Sequence, residues 1–175
     1  MLTAIIKLVQ SLVKALHSDG TPGQVAAGIA LGSILGLTPL ISLHNLVVAA
    51  LILLLNVSVP GATLGWVLAI PLGFALDPMF DALGRQLLLG TPLLVPLWTR
   101  LANLPVVPLS NFNNTVLLGS LVTALALFAP VFFGSRWAVR RYRETIGERV
   151  QRSPLYQALT ASRLYSVYRL FRPGT

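Results

Sequence analysis

Residues 20–40, GTPGQVAAGIALGSILGLTPL, carry no charged side chain and open an uncharged stretch that continues to residue 76. A second uncharged stretch covers residues 101–135. A helix that spans a hydrocarbon core about 30 Å thick needs roughly 20 apolar residues. The first stretch is therefore long enough for two or three spans and the second for one, which predicts an all-α membrane protein.

The composition supports the same fold class. Of the 175 residues, 55% are hydrophobic and only 10% are charged, and the mean hydropathy is +0.77. About a quarter of the residues in a soluble domain are charged, so an ordinary soluble domain is excluded. Cysteine is absent, which excludes disulfides and thiolate chemistry.

Capping residues and prolines divide the chain into about four short apolar helices and one charged helix. Thr21, Pro22 and Gln24 form a helix start with a capping box. Because sixteen residues rise only about 24 Å, these helices are either short spans or re-entrant helices, and both readings stay open. Apolar helices are predicted over residues 22–37, 42–55, 60–76 and 115–133, and the charged helix over 79–89, after a break at Asp77-Pro78.

Amphipathic interfacial helices are expected at both ends of the chain. Residues 1–18 place apolar side chains at helical spacing, with Lys7 and Lys14 on the opposite side. The alternative is that this helix packs against a partner or the C-terminal helix. Residues 19–134 are predicted to be the transmembrane domain, and residues 135–175 an arginine- and tyrosine-rich helical tail in the cytoplasm.

The net charge of +8 is concentrated in that tail. Lysine and arginine mark the cytoplasmic flank of a membrane helix, so we expect a multi-pass protein of a bacterial inner membrane with a cytoplasmic C-terminus. Basic and aromatic side chains beside a span favour contact with anionic lipids over nucleic acid. The residues expected to contact anionic lipid are Lys7, Lys14, Arg136, Arg140, Arg141 and Arg143.

Glycines recur at every fourth position of the first apolar helix, at Gly28, Gly32 and Gly36. On a helix this spacing forms a smooth groove that another helix can approach closely. We expect the contact to lie within the chain, and a homo-oligomer contact is the alternative.

Five polar residues could form a ligand site: His44, Asn45, Asn56, Asp77 and Asp81. Polar groups at membrane depth are often functional. For His44 and Asn45, however, capping or a hydrogen bond between helices is favoured over a ligand or proton role. Asp77 is expected to cap a helix, and Asp81 to pair with Arg85 at i, i+4.

Catalytic and metal-binding patterns are missing from the sequence. There are two histidines and no cysteine, and neither a Ser-His-Asp arrangement nor a familiar metal-ligand spacing occurs. We therefore predict no enzyme activity, no metal and no cofactor.

Several short motifs, in order, resemble the bacterial domain of unknown function 2062 family. The resemblance covers roughly residues 20–90, and the chain departs from the family's pattern at Ile70-Pro71, where an Asn-Pro is usual. The motifs are Thr21-Pro22, residues 28–32, residues 36–39, residues 43–45, residues 55–57, Gly65-Trp66, residues 76–78 and Leu83-Gly84.

The resemblance implies an inner-membrane protein without an assigned activity. It also implies a link to envelope glycosyltransferases and large periplasmic proteins, with which members of the family are associated. Our first hypothesis is a non-enzymatic membrane partner, with a larger envelope protein, in envelope lipid transport or envelope assembly. The second is a small transporter or channel built on broken helices around His44, Asn45 and Asn56. The third and least favoured is an enzyme acting on a lipid carrier through Asp77, Asp81 and His44.

Overall fold

The computed structural model describes residues 20–151, with side chains up to residue 145. The predicted helix at residues 1–18, with Lys7 and Lys14, and the chain beyond residue 151 lie outside the described residues. Residues 20–151 contain helices and no strand, so the all-α class is confirmed. The helices are α1 (Pro22–Leu37), α2 (Leu43–Leu54), α3 (Val59–Leu88), α4 (Val95–Ala102) and α5 (Thr115–Gln151), with short 3₁₀ turns at Pro92–Leu94 and Val107–Ser110.

The chain divides into two compact units at residues 139 and 140. The first unit contains all the helix packing described below. Of the second unit, the described part is residues 140–151 of α5.

Helix α1 begins and ends where the sequence predicts. The Gln24 backbone N–H donates to Thr21 Oγ1 at 3.2 Å, and the Thr21 N–H donates to Gln24 Oε1 at 2.7 Å. This capping box satisfies two of the free N–H groups at the helix start. At the other end, the backbone N–H of Thr38 donates to the Ile34 carbonyl at 3.1 Å, and Pro39 ends the helix.

Helices α1 and α2 form an antiparallel hairpin. The Gln24 side chain donates to the Asn56 carbonyl at 3.2 Å, and the Ser58 N–H donates to the Gln24 carbonyl at 3.1 Å. Asn56 turns the chain there with a φ of 50°, a conformation that asparagine tolerates. The end of α2 therefore lies beside the start of α1. Helix α3 begins there, at the open end of the hairpin, and runs parallel to α1.

The break predicted at Asp77-Pro78 is wrong, because α3 continues for 30 residues through Pro71 and Pro78. Each proline removes one hydrogen bond from the helix. Packing on both sides of α3 compensates for these lost hydrogen bonds. Helix α1 lies against the first half of α3, and α5 lies against residues 80–84. The fold therefore has two short and two long apolar helices, and Asp77 lies inside α3 instead of capping a helix.

Helix α5 runs antiparallel to α3. A Cβ atom at Gly84 would collide with the Thr115 carbonyl, and one at Gly119 would collide with the Phe80 carbonyl, so the two backbones touch. The helices α3 and α5, the latter counted to Thr145, are long and apolar enough to cross a membrane. The buried core draws on four helices: Leu31, Ile34 and Leu37 of α1, Val48 and Ile52 of α2, Ala62, Ala69 and Phe80 of α3, and Ala124 of α5.

The segment between α3 and α5 folds back on the end of α3. The Trp98 indole N–H donates to the Leu87 carbonyl at 3.0 Å. Its ring also stacks on Phe112, with the ring centroids 6.1 Å apart. These contacts hold α4 beside the last turns of α3 and bring residues 107–114 close to the hairpin.

Candidate functional site at the hairpin tip

The predicted packing glycines lie on the face of α1 that meets α3 of the same chain. A Cβ atom at Gly28 would collide with the Ser58 carbonyl, and one at Gly32 with the Ala62 carbonyl. A Cβ atom at Gly36 would lie 2.5 Å from the Trp66 carbonyl oxygen. On the other side of this contact, α3 also has glycines. We call this contact the α1–α3 seam: Gly28, Gly32 and Gly36 against Gly61, Gly65 and Gly73.

The seam leads to the hairpin tip, residues 38–42, where α1 stops against the middle of α3. The Asn45 amide donates to the Pro39 carbonyl at 2.9 Å and to the Leu40 carbonyl at 3.3 Å. The Thr38 hydroxyl lies 2.8 Å from the Ile34 carbonyl and 2.9 Å from Asn45 Oδ1. Both side chains are buried. Asn45 therefore supplies the donor for the Pro39 carbonyl and a second donor, beside the Ser42 N–H, for the Leu40 carbonyl.

His44 lies beside Asn45 at the start of α2. Its Nε2 is 3.2 Å from the Ser42 hydroxyl, and its Nδ1 is buried without a hydrogen-bond partner within the described part of the chain. Asn56, by contrast, lies beyond the other end of α2, a helix of 12 residues that is about 18 Å long. The structure brings His44 and Asn45 together and separates Asn56 from both.

The two aspartates of α3 have different surroundings. Asp81 forms the predicted ion pair with Arg85 and also accepts a hydrogen bond from the Thr115 hydroxyl at 2.5 Å. Asp77, one turn earlier, is half-buried. Within residues 20–151 its carboxylate makes no hydrogen bond and no ion pair.

Three cavities surround the hairpin tip, and each is lined in part by Pro39, Leu40 or Ile41. The largest, about 690 Å³, is a groove along α1 and α2 with mainly apolar walls. A second cavity of about 490 Å³ reaches Asn111 and Asn113. The third, about 230 Å³, contains Asp77. The groove walls include Leu35, Leu46, Ala49, Trp66, Leu109 and Asn111, with Asn45 at the tip.

Sequence reasoning missed Trp66, Leu109 and Asn111 as groove residues. Trp66 falls within a quoted motif, but nothing in its position along the chain indicates a cavity. Leu109 and Asn111 reach the groove only because residues 107–114 fold back over it. The cluster Asn111-Phe112-Asn113-Asn114 is the one local signal that could have found this segment, because asparagines at a turn tolerate left-handed backbone, as Asn111 does with a φ of 53°.

The described basic residues of the predicted lipid contact lie along the last part of α5. Arg136, Arg140 and Arg141 are exposed, and Arg143 is half-buried. No group of three or more histidine, cysteine or acidic side chains that could hold a metal occurs among the described residues.

Comparison with known proteins gives the family and no solved structure. Residues 7–146 match the family described as "Uncharacterized protein conserved in bacteria (DUF2062)". A relative from Treponema pallidum (strain Nichols), named "Uncharacterized protein", is 29% identical over 155 residues, which cover 87% of this chain and 93% of the relative. No solved structure matches the chain. The match over residues 7–146 confirms the resemblance noted in the sequence, and the chain belongs to the DUF2062 family of bacterial proteins.

Proposed function

We propose that the protein is a multi-pass protein of the bacterial inner membrane that acts, without catalysis, as a membrane partner in envelope lipid transport or envelope assembly. The observation that carries this proposal is the apolar surface of α3 and α5. Only 33% and 28% of their most apolar windows are buried in the fold. Most of these side chains therefore need an apolar surrounding outside the protein, and a bilayer supplies one.

The course of the chain supports an even number of membrane crossings. The hairpin of α1 and α2 returns to its starting level, where the Gln24 side chain meets the Asn56 carbonyl. Helix α3 then leaves that level, and α5 comes back antiparallel to it. Gly20 and Arg136 then lie on one side of the membrane, whether the hairpin spans or is re-entrant. The arginines from residue 136 onward favour the cytoplasm for that side.

A chain without cysteine allows a direct test of this orientation. Single cysteines placed by Leu93→Cys and Arg136→Cys replace exposed side chains near opposite ends of the long helices. In intact cells, a membrane-impermeant thiol reagent should modify the first variant from the periplasm and the second only after lysis. The reverse labelling pattern would contradict the proposed orientation.

The use of the polar side chains supports a role without catalysis. Asn45 and Thr38 bind backbone carbonyls at the tip. Asp81 is held by Arg85 and by Thr115 of α5. Each of these groups thus has a structural partner, which leaves fewer polar groups free for acid–base work.

The groove at the tip supports contact with lipid. Its volume of about 690 Å³ lies within the range of about 300–1,000 Å³ that is usual for ligand sites. Its walls are mainly apolar, and its polar lining residues are Ser42, Asn45 and Asn111. An amphiphile matches this division, because its chain can lie along the leucines while its polar part reaches the asparagines.

A small transporter or channel is the second candidate. The helix break at Thr38-Pro39, with His44 and Asn45 beside it, favours it because transporters bind substrates at broken helices. Since Asn56 lies at the far end of α2, this site would be smaller than the sequence suggested. Liposome flux that depends on His44 would support this candidate.

The experiment that tests the first proposal is gentle extraction of the full chain into polymer nanodiscs, followed by mass spectrometry of what co-purifies. A stoichiometric envelope protein together with bound phospholipid is the expected result. A homo-oligomer without a protein partner would overturn the partner role and shift attention to flux measurements.

A further inference from the structure

The smallest of these three cavities at the hairpin tip gathers negative charge, and no basic side chain of the described residues balances it. Its volume is about 230 Å³, and Asp77 lines it together with residues 36–38 at the end of α1. Leu40, Ile70 and Phe74 add apolar walls. We call this cavity the Asp77 pocket.

The carboxylate is the first source of negative charge. Among residues 20–151, Asp77 has neither a hydrogen-bond donor nor a cation as a partner. Arg85, which lies two turns further along α3, is paired with Asp81. None of the basic residues in the part of the chain that the structure describes lines the pocket.

The end of α1 is the second and independent source. A helix C-terminus carries about half a negative charge, and its last carbonyls have no intrahelical donor. Here the N–H of Thr38 goes to the Ile34 carbonyl, and Pro39 has no N–H to offer. The carbonyls of Gly36 and Leu37 accept no hydrogen bond from the described part of the chain, and their oxygens lie beside Gly73 of α3, where a Cβ atom would be 2.7 and 3.4 Å from them. Both residues line the pocket.

We propose that the Asp77 pocket binds an organic ammonium group, with the Asp77 carboxylate and the open carbonyls of α1 as acceptors. The apolar walls then contact the carbon atoms next to the nitrogen. A calcium ion would need six to eight oxygen ligands, and walls made of Leu40, Ile70 and Phe74 favour a cation that carries carbon. Within the proposed membrane function, on which this inference rests, the ligand class is the ethanolamine headgroup of a phospholipid; a free amine has the same chemistry.

The test uses the full chain in nanodiscs that contain equal amounts of phosphatidylethanolamine and phosphatidylglycerol with identical acyl chains. Native mass spectrometry reads the lipids that stay bound. The ratio of ethanolamine lipid to glycerol lipid that stays bound should be about tenfold higher for the natural chain than for Asp77→Asn, as expected for a hydrogen-bonded charge pair. Glycerol lipid held by the arginines counts equally in both variants, and Asp77→Glu, which keeps the charge, should retain most of the preference.

Asp81→Asn is the matched control, since its carboxylate lies one turn away and already has partners. It should leave the preference unchanged. A second readout is the melting temperature of the natural chain in nanodiscs of phosphatidylglycerol alone, which should rise on adding free ethanolamine and not on adding ethylene glycol, which lacks the ammonium group. This readout keeps the test valid if Asp77→Asn folds poorly.

The outcomes separate this inference from the proposed function. Equal lipid ratios in the natural chain and in Asp77→Asn would overturn the ammonium site, even if a protein partner still co-purifies. Loss of the preference at a free ethanolamine concentration far below that of the lipid headgroup would assign a soluble amine as the ligand, and loss only in large excess would assign the lipid headgroup. Failure of the natural chain to insert into nanodiscs would overturn the inference and the membrane role together.

Discussion

The α1–α3 seam and the hairpin tip adjoin each other along α1 and are built in opposite ways. In the seam, glycines bring two backbones so close that a methyl group at Gly32 would collide with a carbonyl of α3. At the tip the chain leaves the helix, and the side chains of Thr38 and Asn45 supply hydrogen bonds. Three cavities open around the tip.

This contrast assigns different physical roles to the two regions. At Gly28 and Gly32 the seam has no room for a Cβ atom, so its stability depends on the size of the residues there. The tip has spare volume, so its stability depends on whether its carbonyls keep their hydrogen bonds. A rigid seam fixes the position of the tip against α3, and the open tip is left to bind a ligand.

The largest effect is expected at the centre of the seam. Gly32→Ala adds one methyl group that would meet the carbonyl oxygen, the carbonyl carbon and the Cα atom of Ala62. Because these are backbone atoms, relief requires α1 and α3 to separate, and we expect a loss of about 3 kcal/mol or more. Thermal unfolding in detergent, followed by the yield of folded protein, measures this loss.

Gly134→Ala is the matched control, because a Cβ atom at Gly134 of α5 meets nothing within 4 Å. The same methyl group should there leave stability unchanged or raise it by up to about 1 kcal/mol through helix propensity. If Gly32→Ala and Gly134→Ala unfold at the same temperature, the two helices do not pack backbone to backbone.

The second largest loss of stability is expected at the hairpin tip, where stability depends on hydrogen bonds to the backbone. Asn45→Ala removes the amide that serves the carbonyls of Pro39 and Leu40. The Leu40 carbonyl keeps the hydrogen bond from the Ser42 N–H, so the Pro39 carbonyl is the one that loses its donor. The Thr38 hydroxyl also loses its contact with Asn45 Oδ1, and we expect a loss of about 1.5 kcal/mol in the free energy of unfolding. Asn45→Asp, which keeps the size but loses both donors, should cost at least as much, measured by the same unfolding experiment.

Asn113→Ala provides the comparison for the tip. Asn113 is exposed, lies in the turn before α5 and makes no side-chain hydrogen bond within the described residues. This substitution should change stability by less than about 0.5 kcal/mol. An equal loss in both alanine variants would mean that Asn45 contributes nothing beyond an ordinary surface asparagine.

Local signals in the sequence predicted the elements whose ends depend on neighbouring residues. The start of α1 at Thr21-Pro22 and its end at Thr38-Pro39 follow from a capping box and a proline, which act over three or four residues. The ion pair between Asp81 and Arg85 follows from i, i+4 spacing in the same way.

Features that depend on distant contacts could not be predicted in this way. Asp77-Pro78 reads as a helix start, yet packing by α1 and α5 on either side keeps α3 continuous there. Asn56 and His44 are both polar residues near helix ends, which predicts one shared site, but the length of α2 separates them. The Asp77 pocket needs the end of α1 beside the middle of α3, which no local pattern shows.

A smaller effect is expected where the seam begins. The Gln24 side chain completes the capping box of α1 and also donates to the Asn56 carbonyl at the foot of the hairpin. Because it is half-buried, Gln24→Ala should cost about 1 kcal/mol, close to the usual value of a helix cap. Gln86→Ala, at an exposed glutamine of α3, should lower the free energy of unfolding by less. An equal loss in the two variants would show that the hydrogen bond from Gln24 to the Asn56 carbonyl does not stabilise the foot of the hairpin. Chemical unfolding in mild detergent compares the pair.

The smallest effect is expected at Arg85, which tests whether burial decides the value of a polar contact. Its side chain is 63% exposed, and its partner Asp81 keeps the hydrogen bond from Thr115 when the arginine is removed. Exposed ion pairs contribute about 0–1 kcal/mol, so Arg85→Ala should cost less than about 0.5 kcal/mol. Thr115→Val removes the other partner of the same carboxylate, across the contact between α3 and α5, and should cost about 1 kcal/mol. The free energy of unfolding of the three variants is compared. If Arg85→Ala lowers it more than both Thr115→Val and Asn45→Ala do, then charge, and not burial, determines how much a polar contact stabilises this fold.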